Sequence, residues 1–439
     1  MLDAGELASR EGTGYAEVTA CKVSDDHSVV GYVVDVRGDE SWELRFRDAG
    51  SAADWPSAVP GARSFEFLGG GGDGQSALAA LVVHTDAATR RASSISLLPV
   101  SRRDLAEQQP RLLWEEPNEA AYLEVFRTKN REFVLCSSNT KDTSEVRAVR
   151  CGSSAEAASA RTMLARREGV EYFAEHCGGQ FLVISNHERP DFAVYTLPEA
   201  ALGSDDGGWP SLRHVFAPPG RFHVTDADVL RRWLVLYGHK DAAPAICVVP
   251  LPPAADAGSV APKRAPYLAA LPRAVGSVEP GVNAEPTAES VRFSFRSPLD
   301  AGSTYDLQLE TGELALVDSR RWQTTVGAVG PDAFECERLE LPARDGEWVP
   351  LTLVRPRPEH GAAPRPCLLH VYGAYGTCLS PDFRPEVVSL LRRGWAVAWA
   401  HVRGGGEKGR AWHSAARGLG KARSVLDLAD TARFLLARG

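Results

Sequence analysis

Two glycine-punctuated segments near the carboxyl end hold the residue types best suited to chemistry. The first is Tyr372-Gly373-Ala374-Tyr375-Gly376. The second is Arg403-Gly404-Gly405-Gly406-Glu407-Lys408-Gly409, with Trp412-His413 just beyond it. Glycines at this spacing allow positive φ and close backbone approach. Arg403 with Glu407 is expected to form ion pairs that hold the second loop, and His413 is read as structural. An activated serine is not encoded by any motif here. No G-x-S-x-G turn occurs, and GQSAL at 74–78 has Leu78 where the second glycine belongs. The glycine run within 67–75 lacks the G-K-[ST] ending of a phosphate loop and reads as a surface turn. Cysteines stand at 21, 136, 151, 177, 247, 336, 367 and 378, none of them as C-x-x-C. Reduced, buried thiols are expected rather than a disulfide framework or a metal centre, and no cofactor is implied.

Stepping outward, the elements that must position these loops follow from hydrophobic patterning. PRPCLLHVYGAYG is a continuous apolar strand running into the first loop, PEVVSLLRRG is helical, and WAVAWAHV is a second apolar strand running into RGGGEKG. SVLDLADTARFLLARG is amphipathic, with Val425, Leu428, Ala429, Phe434 and Leu435 on the apolar face. Strands apolar throughout and alternating with helices indicate a parallel sheet covered on both sides. Just upstream, FECERLELPARDGEWVPLTLVRP reads as a hairpin turning at Asp345-Gly346.

Residues 1–330 read differently, as short strands bounded by Gly, Asp, Asn or Pro. YAEVTACKV, VVGYVVDV and WELRFRD form one group, and SFEFLG, ALAALVVHT and SSISLLPV a second. RLLWEE opens a third group and SLRHVFAP a fifth. Groups recur every 40–50 residues or so, the period of propeller blades. The expected fold is therefore an all-β propeller of about six to seven blades over 1–330, short of its first blade, followed over 331–439 by the beginning of an α/β-hydrolase domain. Loops are expected at 67–75 and 252–266.

The bulk composition narrows the function classes. In 439 residues, 44% are apolar and 24% charged, and the net charge is −8. That balance disfavours nucleic-acid and anionic-membrane binding, which need a basic surface. No apolar run reaches the ~18 residues of a membrane span. The polar start, MLDAGELASREG, has neither signal-peptide nor transit character, so a cytoplasmic monomer is expected.

The two loops with their spacing resemble the start of the catalytic domain in the prolyl oligopeptidase family. The wording is nearest its prolyl endopeptidase-like and oligopeptidase B branches. Thr143-Ser144-Glu145 resembles that family's blade signature. The resemblance implies a serine hydrolase acting on short peptides or small esters, with the propeller as a size-selective gate. It also implies that a tyrosine of the first loop donates its hydroxyl to an oxyanion hole. A phenol can do this without carrying charge of its own. Tyr375 is the candidate and Tyr372 the second. The family's Ser, Asp and His come later in sequence than anything in this chain, so these residues alone are expected to be inactive. A non-catalytic peptide-binding propeller with a vestigial hydrolase lobe is the alternative.

Overall fold

The structure, a computed structural model, describes residues 2–438 except 70–77, 102–104, 106, 107, 109, 154, 155, 253–263, 321–330 and 358–363. Most of the two expected loops at 67–75 and 252–266 therefore lies outside the described residues. After a short helix α1 (Ala4–Glu11), capped by the Asp3 carboxylate on the Glu6 N–H, six four-stranded meanders follow in chain order. They are β1–β4 (Glu17–Val23, Val29–Asp35, Glu43–Asp48, Asp54–Pro60), β5–β8 (Ala62–Phe67, Ala79–Thr85, Ala92–Pro99, Arg111–Glu115) and β9–β12 (Tyr122–Arg127, Phe133–Asn139, Ser144–Arg150, Arg161–Leu164). Then come β13–β16 (Tyr172–Cys177, Gln180–Ser185, Ala193–Pro198, Arg213–Phe216), β17–β20 (Phe222–Val229, Trp233–Lys240, Ala243–Pro250, Tyr267–Leu268) and β21–β24 (Ser277–Pro280, Ser290–Ser297, Asp300–Gln308, Leu314–Ser319).

The second strand of most meanders is the apolar one, because it lies between partners and under a neighbouring face. In β10, for example, only Asn139 escapes full burial. The fourth strand of the fourth meander is short and wet: β16 is exposed along nearly its whole length. This corrects the strand grouping. RLLWEE (β8) and SLRHVFAP (β16) do not open new sheets. Each closes the preceding one, β8 pairing with β7 through Ile95↔Trp114 and β16 standing beside β15.

A seventh sheet, ordered β25-β26-β28-β27, is mixed. Its strands are β25 (Phe334–Pro342), β26 (Trp348–Pro356), β27 (Cys367–Val371) and β28 (Ala396–Ala400). β25 and β26 form the expected hairpin, pairing Pro342↔Trp348 across a turn where Gly346 has φ 86°. β27 and β28 run parallel, with Val371 opposite Ala400. Helix α2 (Pro385–Arg392) covers one face through Val387 and Leu391, which meet Val397 and Trp399. Trp412 of α3 (Arg410–Ser414) and Leu428, Phe434 and Leu435 of α4 (Ala422–Arg438) cover the other. β27 is the open edge of the sheet, with Leu368 and Val371 exposed.

The chain packs as two compact units. One comprises Met1–His187 with Val194–Val215 and holds the first four meanders. In its first core, Phe46, Phe65 and Phe67 are fully buried, with ring centroids 5.4–6.4 Å apart. The other comprises Glu188–Ala193 with Phe216–Gly439 and holds the fifth and sixth meanders and the mixed sheet. Among the described residues no helix is long and apolar enough to cross a membrane.

Candidate functional site

Because β27 and β28 are parallel neighbours, the loops leaving their carboxyl ends emerge side by side. The glycines let them touch. A Cβ on Gly404 would lie 2.1 Å from the Gly373 carbonyl oxygen, and one on Gly406 would lie 2.1 Å from that of Gly376. The Gly376 N–H donates to the Gly404 carbonyl at 3.0 Å. Ser424 Oγ donates to the Arg403 carbonyl at 2.6 Å, and Lys421 Nζ to that of Gly373. Gly373, Tyr375 and Gly376 all have left-handed backbone, with φ 64°, 57° and 69°. For tyrosine that conformation is unusual and costly. Tyr375 is 73% exposed and Tyr372 49%, so neither is a core tyrosine.

The expected ion pairs need correcting, since Arg403 and Glu407 turn to different partners. Arg403 Nε and Nη2 bind the fully buried Asp427 carboxylate at 3.0 and 2.5 Å, and the Arg403 backbone N–H adds a third bond at 3.0 Å. Arg403 Nη1 reaches Asp345 at 2.6 Å, holding that carboxyl below its ordinary range. Glu407 is 4% exposed and accepts the Leu379 N–H at 2.8 Å. Its Oε1 also lies 3.4 Å from His401 Nδ1, whose Nε2 meets Thr352 Oγ1 at 2.9 Å. Burial pushes the Glu407 carboxyl up, but His401 and the Leu379 N–H outweigh it and the net direction is down. Burial drives His401 down and the Cys378 thiol up to about 12. Cys378 Sγ lies 3.8 Å from the Nδ1 of His239, which burial drives down to about 4. His413 plays a structural part, its Nδ1 3.0 Å from the Gly404 carbonyl oxygen.

α4 also departs from its sequence reading. Val425 is 61% exposed, and the fully covered stripe is the polar trio Ser424, Asp427 and Thr431. Ser424 and Asp427 bond to the second loop, whose hydrogen-bonding demand buries that side of the helix, while Thr431 Oγ1 donates back to the Asp427 carbonyl at 2.8 Å. Asp427, at helical spacing from Ser424 and Thr431, was the available hint. His239 and Asp191 carried none. Asp191 accepts the Arg410 N–H at 2.8 Å and faces His223 Nδ1 at 3.4 Å, while the Arg410 guanidinium lies 5.3 Å from the Phe192 ring centre.

Elsewhere, Thr143 and Glu145 stitch strands together. Arg166 donates Nη1 to Thr143 at 2.7 Å and its backbone N–H to Glu145 at 3.1 Å, and its Nη2 pairs with buried Glu116 at 3.1 Å. Of the cysteines, Cys21 and Cys367 are exposed, contrary to the expectation of burial. One group of metal-type ligands gathers among the described residues: Glu132, His176 and Glu199, within 4.8 Å of one another. The carboxylates face opposite ring nitrogens, Glu199 at 3.0 Å from Nε2 and Glu132 at 3.8 Å from Nδ1, and Arg150 pairs with both acids. The Arg150 guanidinium supplies a countercharge to both acids. A cavity of about 400 Å³, lined by Leu353, Cys367, Leu369, Ala396 and Leu435 among others, lies at the amino ends of β27 and β28 and includes none of the loop residues.

Six meanders leading into a helix-covered sheet with parallel strands define a β-propeller followed by an α/β region. The family is shown by comparison. Residues 1–320 match the model of the prolyl oligopeptidase N-terminal beta-propeller domain, and 381–439 that of the prolyl oligopeptidase family. The chain belongs to the prolyl oligopeptidase family. It is 30% identical over 305 residues to a prolyl endopeptidase-like protein of Xenopus laevis, covering 69% of this chain and 40% of that protein. It is 26% identical to dipeptidyl aminopeptidase BI of Pseudoxanthomonas mexicana, covering 100% of this chain and 56% of that one. In fold it matches oligopeptidase B of Trypanosoma brucei in its closed form with a TM-score of 0.79, at 22% identity over 100% of this chain and 59% of that one. The chain thus spans about half the length of the curated relatives it matches.

Proposed function

We propose that residues 1–330 and 331–439 are the propeller and the beginning of the hydrolase domain of a serine peptidase that cleaves short peptides or small esters. The propeller acts as its size-selective gate. The Ser, Asp and His of the triad belong to sequence beyond these residues, and the protein works as a cytoplasmic monomer. One observation carries the reading: the YGAYG and RGGGE loops lie together at the carboxyl ends of parallel strands. In open α/β sheets that is the end where ligands bind. Tyr375, exposed there on a left-handed turn, donates its hydroxyl to the developing oxyanion.

A fluorophosphonate probe tests the proposal. These 439 residues should remain unlabelled, and the protein extended to its relatives' length should take one label at a serine. An unlabelled extended protein would favour the peptide-binding alternative. In the active protein, Tyr375→Phe should lower kcat by about 10–1000-fold.

A further inference from the structure

Tyr375 sits in a backbone conformation that side chains avoid, and such strain persists only where the surroundings fix it. Three backbone N–H groups of this turn and its flank are held. Thr377 N–H donates to the Ala374 carbonyl at 3.1 Å, Gly376 N–H to Gly404 at 3.0 Å, and Leu379 N–H to Glu407 Oε1 at 2.8 Å. Only the last uses a side chain. That side chain is itself tightly seated. A Cβ on Gly405 would lie 2.2 Å from Glu407 Oε2, so only glycine leaves room for the carboxylate. His401, fixed by Thr352, approaches its other oxygen. Glu407 Oε2 has no hydrogen-bond partner among the described residues. A buried carboxylate with an unsatisfied oxygen is a costly way to accept one N–H. The Leu379 N–H, held at 2.8 Å, therefore marks what this carboxylate secures.

We propose that Glu407 is the positioning residue of Tyr375: its carboxylate anchors the turn at Leu379 and so keeps the phenol presented beside the second loop. The consequence for the reaction rests on the peptidase reading, but the anchoring does not.

The anchoring is measured on this chain by hydrogen exchange. Glu407→Ala should speed exchange across 375–379 by about tenfold or more. Glu407→Gln, which keeps an acceptor, should restore most of the protection. Asp427→Asn, which loosens the other end of the same loop, should speed the Leu379 amide no more than its loss of global stability alone does. Should Glu407→Ala not fold, Gly405→Ala, which presses a methyl into the carboxylate's seat, gives the same readout. Unchanged exchange in the folded variants, or equal loss in Asp427→Asn, overturns the proposal.

The catalytic consequence is read in the extended protein with a short peptide substrate. Glu407→Ala should lower kcat about tenfold or more at nearly constant KM, and should add little to Tyr375→Phe. Full multiplication of the two effects would show that Glu407 does not act through Tyr375. An extended wild type without fluorophosphonate labelling sinks the peptidase reading and leaves the exchange result to decide the anchoring.

Discussion

Replacing Asp427 by Asn removes the buried half of an ion pair while keeping the side chain's shape. Asp427 is fully buried and takes three hydrogen bonds from Arg403, two from the guanidinium and one from the backbone N–H. Removing one partner of a buried pair costs about 3–5 kcal/mol, and the solvent-screened Asp345 offsets little of the charge that remains. Asp345 binds the same guanidinium at 2.6 Å, but its side chain is 43% exposed. Asp345→Asn should therefore cost only about 0–1 kcal/mol, since solvent screens the pair. Geometry alone would rank the two contacts as equals, because their shortest distances differ by only a tenth of an ångström; burial separates them. Urea unfolding followed by the fluorescence of Trp399 and Trp412 reads the difference. With a denaturant slope of about 1–3 kcal/mol per molar, the Asp427→Asn midpoint should fall by roughly 1–5 M. A loss below about 1 kcal/mol, or one equal to that of Asp345→Asn, would refute the reasoning.

Acid should weaken the unit built from 188–193 and 216–439. His239 is pushed down to about 4 by burial, with Glu407 opposing and His223, Arg338 and His401 reinforcing. The unfolded chain therefore takes up the proton first. Stability is intact above about pH 6.5, falls between there and about 4, and loses about 3 kcal/mol in all. Urea melts from pH 7 to 4 should show the decline, and His239→Gln should remove most of it; a slope unaltered by the substitution would exclude His239 as its source. In the other unit, Gly208 and Gly152 both have left-handed backbone, at φ 79° and 74°. A methyl on Gly208 would meet the Met163 carbonyl oxygen at 2.1 Å, and one on Gly152 would meet nothing within 4 Å. Gly152→Ala should cost about 1–2 kcal/mol for its backbone alone, and Gly208→Ala about 1–3 kcal/mol more. Equal thermal shifts would show that the neighbouring strand gives way freely.

How much of this was legible in sequence depended on where each residue finds its partner. The inner strands of each meander announced themselves through burial. β10 and β14 are apolar because they lie between neighbours on both edges. The outer strands did not. β8 and β16 have five and four residues and carry little alternation, which is why both were placed in the wrong sheets. The two loops were readable because their glycines answer to close backbone approach, a local demand. The side chains that clamp them were not. Asp427 looked out of place on an apolar helix until its guanidinium partner was seen, and His239 approaches Cys378 from 139 residues away.

The bond from Arg410 to Asp191 closes a loop of 219 residues. At a synthesis rate of about 5–20 residues per second, the Asp191 turn leaves the ribosome some 10–45 s before the helix it caps has been made. During that interval Phe192, left-handed at φ 72°, and the Asp191 carboxylate must wait for the guanidinium and the N–H of Arg410. Until then the Asp191 corner lacks the backbone donor that completes it, so this unit closes only after residue 410 has been made.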